Sequence, residues 1–291
     1  MAISEAQLQT WSAQGSVAQS AQTYETIRGV LDDRTSPYYP KIYRIFLQGS
    51  YGNDTNIYSD SDVDIVICLT STYYHDKDSL TPADRAELDR SFVAASYELS
   101  DFKRDVAAWL TQRYGSGVTV GNKAIFIPGN GNRRDADVLV AAEHRTYYSK
   151  YGYTEGIVFE TNAGRRIVNY PKQHLENLTT KHQGTQGRFK PTVRVFKNMR
   201  NKMISDRYLA KGLAPSYFIE GLLSNVPNIC FSQRFQDTYD YSMAYLRGAT
   251  RDQLECANGI HYLVRDYSDV AWSNADFTSY MNAVDAYWKA N

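Results

Sequence analysis

Apolar residues change their spacing along this chain near residue 171, and that change divides it in two. After Ser4-Glu5-Ala6-Gln7, a capping-box pattern, Val17, Ala21, Tyr24, Ile27 and Leu31 recur at helical spacing. They predict one long first helix, ended by Ser36-Pro37 and Pro40. Residues 41–48 and 62–69 read as a pair of strands with a polar connection between them. Thr81-Pro82 then starts a second helix, with Thr as N-cap, Pro at the first helical position and Asp84 in the first turn. Leu88, Phe92, Ala95, Leu99, Phe102, Val106 and Trp109 continue it as an apolar stripe about six turns long. Short β-type runs follow at 117–120, 123–127 and 134–140, the last two joined by Pro128-Gly129-Asn130-Gly131-Asn132. A hairpin spans 157–168 around Asn162-Ala163-Gly164. Beyond Pro171 the pattern is helical, with breaks at Gly184, Gly187, Pro215, Pro227 and near Gly259. The expected class is α+β: a mixed central sheet with a long N-terminal helix over 1–170, and a helical lobe over 171–291.

The candidate chemistry sits at the first strand pair. Gln48-Gly49-Ser50 closes one strand and Asp62-Val63-Asp64 opens the next. Residues two apart on a strand share a side, so Asp62 and Asp64 present both carboxylates together while Val63, Ile65 and Ile67 face a core. Such carboxylates repel unless a cation lies between them, and hard oxygen ligands favour Mg2+. The small Gly-Ser turn lets backbone amides and a hydroxyl approach a triphosphate. A calcium loop beginning at Asp60 fails, because its sixth position is Ile65 and its twelfth is Ser71.

A two-metal phosphoryl-transfer site needs a further carboxylate as ligand and proton acceptor. Arg134-Asp135-Ala136-Asp137 offers two on one face; Asp137 is the first choice because it stands where the apolar strand begins, as Asp64 does, and Asp135 is the runner-up. From Asn177 to Ser205 there are seven Lys or Arg and no Asp or Glu. Lys190, Arg194 and Lys197 share one helical face, and Phe196, Met199 and Met203 take another. A solvated face is the plain alternative, but a triphosphate requires a local cationic partner of this kind. Pro215-Ser216-Tyr217 opens an amphipathic helix whose free amides and Ser216 hydroxyl can hold phosphate oxygens, with Tyr217 available to stack on a base. Capping and packing would account for the same two residues.

Composition bounds the rest. With 291 residues, 43% of them apolar, the chain can bury a sizeable core. Lys plus Arg and Asp plus Glu are both 32, so no overall field would hold long nucleic acid. No run approaches the roughly 18 apolar residues of a membrane span, and Met1-Ala2-Ile3-Ser4-Glu5 has no signal-peptide character; a cytoplasmic, membrane-free protein is expected. Cys68, Cys230 and Cys256 are too dispersed for a disulfide framework. The 24 tyrosines read mainly as half-buried packing. Walker A, kinase and G-x-S-x-G templates are absent.

The ordered set Gly49-Ser50, Asp62-x-Asp64, Asp137, Lys197 and Ser216-Tyr217 resembles the DNA polymerase β-like nucleotidyltransferases and, within them, the bacterial cGAS/DncV-like enzymes called CD-NTases. The stretch Tyr170-Pro171-Lys172-Gln173-His174-Leu175-Glu176-Asn177 and the Ile219-Glu220 after Pro-Ser-Tyr are further marks. The resemblance implies a two-lobed polymerase β-like fold. It implies that Ser50, with Gln48 and Gly49, touches the triphosphate, that Asp62 and Asp64 hold two Mg2+ ions, with Mn2+ as a substitute, and that Asp137 completes the catalytic metal site. Lys197 and Ser216 would grip the outer phosphates and Tyr217 would stack on the donor base. Asn177 and His174 would border the cleft between lobes where the base is selected, and an Asn amide suits a pyrimidine edge.

The implied reaction is attack of a ribose hydroxyl on an NTP α-phosphate. Repeated, it yields a cyclic di- or trinucleotide messenger from ATP with UTP or GTP, made by a monomer and read by an effector in anti-phage, CBASS-type defence. A nucleotidyltransferase acting on a small molecule, protein or tRNA acceptor is the alternative. A catalytically silent nucleotide-binding module is a third reading, against which three suitably placed carboxylates argue.

Overall fold

The β-branched residues that follow the paired acids extend into much longer strands than their apolar runs suggest. The computed structural model describes residues 3–15, 17–58 and 62–291, so Asp60 lies outside the described residues. In chain order, helices α1 (Glu5–Ser12) and α2 (Ala18–Leu31) precede strand β1 (Tyr43–Leu47), the one-turn helix α3 (Gly49–Gly52) and strand β2 (Val63–Asp76). Helices α4 (Pro82–Asp89) and α5 (Leu99–Tyr114) follow, then strands β3 (Thr119–Val120), β4 (Ile125–Ile127), β5 (Ala136–Ser149), β6 (Gly152–Glu160) and β7 (Arg166–Asn169). Helices α6 (Pro171–Gly184), α7 (Phe189–Ser205), α8 (Ser216–Ser224), α9 (Phe235–Gly248) and α10 (Asn274–Ala290) complete the chain.

Two compact units result, a sheet unit of residues 18–48 and 61–171 and a helical unit of residues 1–17, 49–60 and 172–291. Besides the region after 171, the helical unit thus takes in α1 and the segment carrying α3. In the sheet unit the strand order is β1-β2-β5-β4-β3, with β6 on the far half of β5 and β7 on β6. The sheet is mixed: β2 and β5 run parallel, and the other pairings are antiparallel. Val63, Ile65 and Ile67 are fully buried as the alternation predicts, but so are Val66 and Cys68 on the acids' own side. Both faces of β2 therefore close within a few residues of Asp64, which confines any site to the strand's N-terminal edge. Helices α2 and α5 pack against β2. From α5, Leu99, Phe102, Val106 and Leu110 have no exposed surface, each contributing about 1.5–3 kcal/mol by burial.

The two long helices expected from spacing are each divided. The first breaks between α1 and α2 because Gly15 docks on residues 56–57: its N–H donates to Asn56 O (3.2 Å) and a Cβ there would lie 2.5 Å from Ile57 O. Only glycine can approach that closely, so the break comes from a partner about 40 residues away. The second divides because Phe92 leaves the stripe to pack on His75, with ring centroids 4.3 Å apart. A capping box between Glu98 and Asp101 then restarts the helix as α5.

Within the helical unit, α7 buries Phe189, Val193, Phe196, Met199 and Met203 in one cluster with Phe218 and Leu222 of α8. Glu5 in α1 accepts the N–H groups of Phe235 (2.7 Å) and Gln236 (3.0 Å), capping α9 from a distant part of the chain. Among the described residues no helix is long and apolar enough to cross a membrane.

Candidate active site

In the sheet unit the acids assemble at one end of the parallel strand pair. The register sets Asp64 opposite Asp137 and Val63 opposite Ala136, and Asp62 stands just before β2. The backbone closes around them: Gln48 N donates to Asp64 O (3.0 Å) and Val63 N to Asp135 O (3.0 Å). Asp64 and Asp137 are half-buried and Asp62 is exposed. Burial, reinforced by the charges of Asp62 and Asp135, raises the Asp137 carboxyl above its ordinary range. Among the described residues, no three His, Cys, Asp or Glu side chains form a ready-made metal cage. An open acid face suits Mg2+, which is held by one or two carboxylates and completes its shell with phosphate oxygens and water. The donor set therefore fits that ion.

Asp135 and Asp137 have separate work. Asp135 Oδ1 accepts the N–H of Gly129 (2.6 Å), in a loop so tight that a Cβ on Gly129 would lie 2.6 Å from Arg133 O. Asp135 braces the turn that leads into β5. Asp135→Ala is thus expected to cost about 1 kcal/mol of stability by leaving that part-buried donor unmet, whereas Asp137→Ala is expected to cost little. Thermal melts separate the two, and equal losses in melting temperature would remove the distinction.

The helical unit carries the other candidates. Gly49 has φ 64°, a left-handed conformation natural to glycine, and it opens α3 instead of a simple turn. Asn53 N then bonds back to Gly49 O (3.0 Å) and Thr55 N to Ser50 O (2.9 Å), so residues 49–55 form one knotted segment. Ser50 is 9% exposed.

The basic face of α7 is committed to this segment. Lys190 Nζ pairs with Asp54 (3.0 Å), Arg194 donates to Asp54 O (2.8 Å) and to Ser12 O (2.6 Å), and Lys197 Nζ donates to Thr55 O (2.9 Å). Lys197 is fully buried. The expected face exists, but it faces inward as the support of the Ser50 segment.

At the start of α8, Ser216 and Tyr217 are half-buried. The Tyr217 ring stacks on His174 (4.9 Å, 20°) and on Trp272 (5.6 Å, 28°), and its hydroxyl accepts from Asn258 Nδ2 (3.1 Å). Burial pushes that hydroxyl's pKa well up, so it stays neutral. Asn177 Nδ2 donates to Ala257 O (2.9 Å), tying α6 to the same loop. Sequence reasoning missed Asn258 and Trp272, which lie in an irregular stretch where no periodicity singles them out.

Residues 176–289 match the family described as the cGAS/DncV-like nucleotidyltransferase C-terminal helical domain. The chain is 37% identical over 295 residues to the cyclic UMP-AMP synthase of Rhodothermus marinus, covering 99% of this chain and 98% of that protein. Its fold is similar to the solved structure of the Rhodothermus marinus CdnE c-UMP-AMP synthase with Apcpp and Upnpp, with a TM-score of 0.88, 35% identity, and 99% and 97% of the two chains covered. It is also similar to the Elizabethkingia meningoseptica CdnE cyclic dinucleotide synthase solved with GTP and Apcpp, with a TM-score of 0.78, 28% identity, and 98% of each chain covered.

Proposed function

The chain belongs to the cGAS/DncV-like nucleotidyltransferases, and from that premise we propose that it joins ATP and a second nucleoside triphosphate, UTP or GTP, into a cyclic di- or trinucleotide. The observation that carries this reading is the acid face at the head of β2 and β5, with Asp62 just before β2, Asp64 within it and Asp137 in register beside Asp64. Asp62, Asp64 and Asp137 would hold two Mg2+ ions, or Mn2+ in their place, and those ions would supply neutralisation of the triphosphate and the departing pyrophosphate. Asp137 would also accept the proton of the attacking ribose hydroxyl. Ser50, together with Gln48 and Gly49, would meet phosphate oxygens, and Ser216 would meet the outer ones. Lys197 acts from beneath, adding positive charge while it fixes the backbone after Ser50. Tyr217 would offer the base the part of its ring that the His174 and Trp272 stacks leave open, and Asn177 the polar edge that selects it. The product is a second messenger that a downstream effector reads in cytoplasmic, CBASS-type anti-phage defence.

Incubation of the purified protein with the four NTPs and Mg2+, followed by mass spectrometry, tests the reading. A cyclic product that requires Asp64 supports it. Linear addition to a supplied acceptor, or no phosphodiester product with either Mg2+ or Mn2+, overturns it. In the same assay Asn177→Ala is expected to change which bases are incorporated, and an unchanged product composition refutes that role.

A further inference from the structure

Glu220 lies in α8 with 2% of its surface exposed, between fully buried Ile219 and Leu222. Both of its carboxylate oxygens are engaged. Oε1 accepts the Thr55 hydroxyl, and Oε2 accepts from Asn53 Nδ2 (3.1 Å) and His174 Nε2 (2.8 Å). Burial acts to raise the carboxyl, but the hydrogen bond and charge of His174, the charge of Lys197 and the Thr55 hydroxyl together hold it below its ordinary range. The group is therefore ionised, so His174 Nε2 must be the donor.

A buried charge is a poor way to gain stability, since well-packed apolar residues commonly match or exceed it. What the charge does here is geometric. Asn53 and Thr55 belong to the segment whose amides bond back to Gly49 and Ser50, while the His174 ring stacks on Tyr217. We propose that Glu220 is the positioning residue of the nucleotide site in the helical unit: one carboxylate sets both the Ser50 segment, through Asn53 and Thr55, and the Tyr217 ring, through His174. Phosphate-side and base-side groups are thereby fixed by the same anchor. Side chains held by such bonds lose less freedom when a ligand arrives, so the effect falls on nucleotide affinity. The proposal rests on the reading of these groups as nucleotide ligands.

Glu220→Gln keeps the volume and several hydrogen bonds but removes the charge. Steady-state kinetics at a temperature well below each variant's melting point, and calorimetric titration with a nonhydrolysable ATP analogue, provide the readouts. Glu220→Gln is expected to raise KM for NTPs and the analogue Kd by about tenfold or more, with a smaller change in kcat. Thr55→Val is expected to weaken binding in the same direction, and Thr55→Ser, which keeps the hydroxyl, to restore it. A folded Glu220→Gln with unchanged KM and Kd overturns the proposal. If Glu220→Gln does not fold, the Thr55 pair decides: equal Kd for the Val and Ser variants overturns it. Weakened analogue binding by Thr55→Val in a protein that yields no cyclic product would uphold the anchor while removing the proposed product. A wild-type protein that binds no analogue would overturn both.

Discussion

Replacing Asp62 and Asp64 together by Asn is expected to reduce product formation by at least about a thousandfold and to leave the protein folded with an equal or higher melting temperature. On the proposed two-metal mechanism the activity loss follows because the charge at these carboxylates would supply several kcal/mol of transition-state stabilisation, and each 1.36 kcal/mol is tenfold in rate. The stability expectation has the opposite sign from most double substitutions. Asp62, Asp64 and Asp137 stand at the N-terminal edge of β2 and β5, and Asp137 carries a raised pKa from burial, Asp62 and Asp135. For an acid whose folded-state pKa lies above its unfolded value, ionisation opposes folding. That unfavourable contribution is fully present above the raised native value, shrinks as pH falls through it, and disappears below the unfolded value. In metal-free buffer the wild type should therefore gain stability from this site on mild acidification. The doubly substituted protein should show less of that gain, because Asp137 has lost a charged neighbour. Melting curves across pH with chelator present, beside product assays with Mg2+, check both halves; normal turnover by the double variant would sink the mechanism.

Lys197→Met should instead unfold the protein more readily, by about 3–5 kcal/mol, because it breaks a buried charge arrangement by removing one side. Met fills much of the space, so the loss is electrostatic. Thr55 O loses its donor, and Glu220 keeps its negative charge with Lys197's positive charge gone. At roughly 2–4 °C per kcal/mol the melting temperature falls by about 6–20 °C. A clamp that reached outward to phosphate would behave differently, losing affinity for NTP with little change in the melting point. Differential scanning calorimetry with and without nucleotide distinguishes these outcomes, and an unchanged melting temperature would return Lys197 to direct phosphate binding.

That contrast shows what spacing can and cannot say. The two-residue alternation around Asp62 and Asp64 was legible because strand geometry is local, and Asp137 was legible because its position in its own strand repeats that of Asp64. The common helical face of Lys190, Arg194 and Lys197 was legible too, but periodicity states which residues are neighbours and is silent on what the face meets. Here it meets Asp54 and the carbonyls of residues 54 and 55, partners about 140 residues away. The divisions of the two long helices were hidden for the same reason. Nothing near Gly15 in sequence shows that Ile57 O lies against it, and Phe92 reads as a member of the stripe until His75 claims it. Asn258 and Trp272 were invisible because their importance comes entirely from the Tyr217 they hold.

The chain passes between its two units at residues 17/18, 48/49, 60/61 and 171/172. No single scission separates them. A fragment beginning at residue 171 would lose Leu8 from its core, the Glu5 cap from α9, and the Asn53 and Thr55 partners of Glu220. The complementary fragment would carry residues 49–60 with nothing to receive them. The two units are thus interleaved in sequence, and neither can be recombined as a cassette with a foreign partner. Substrate preferences in such a chain can be altered by point substitution or loop exchange, but not by swapping one half for another cut at a single position.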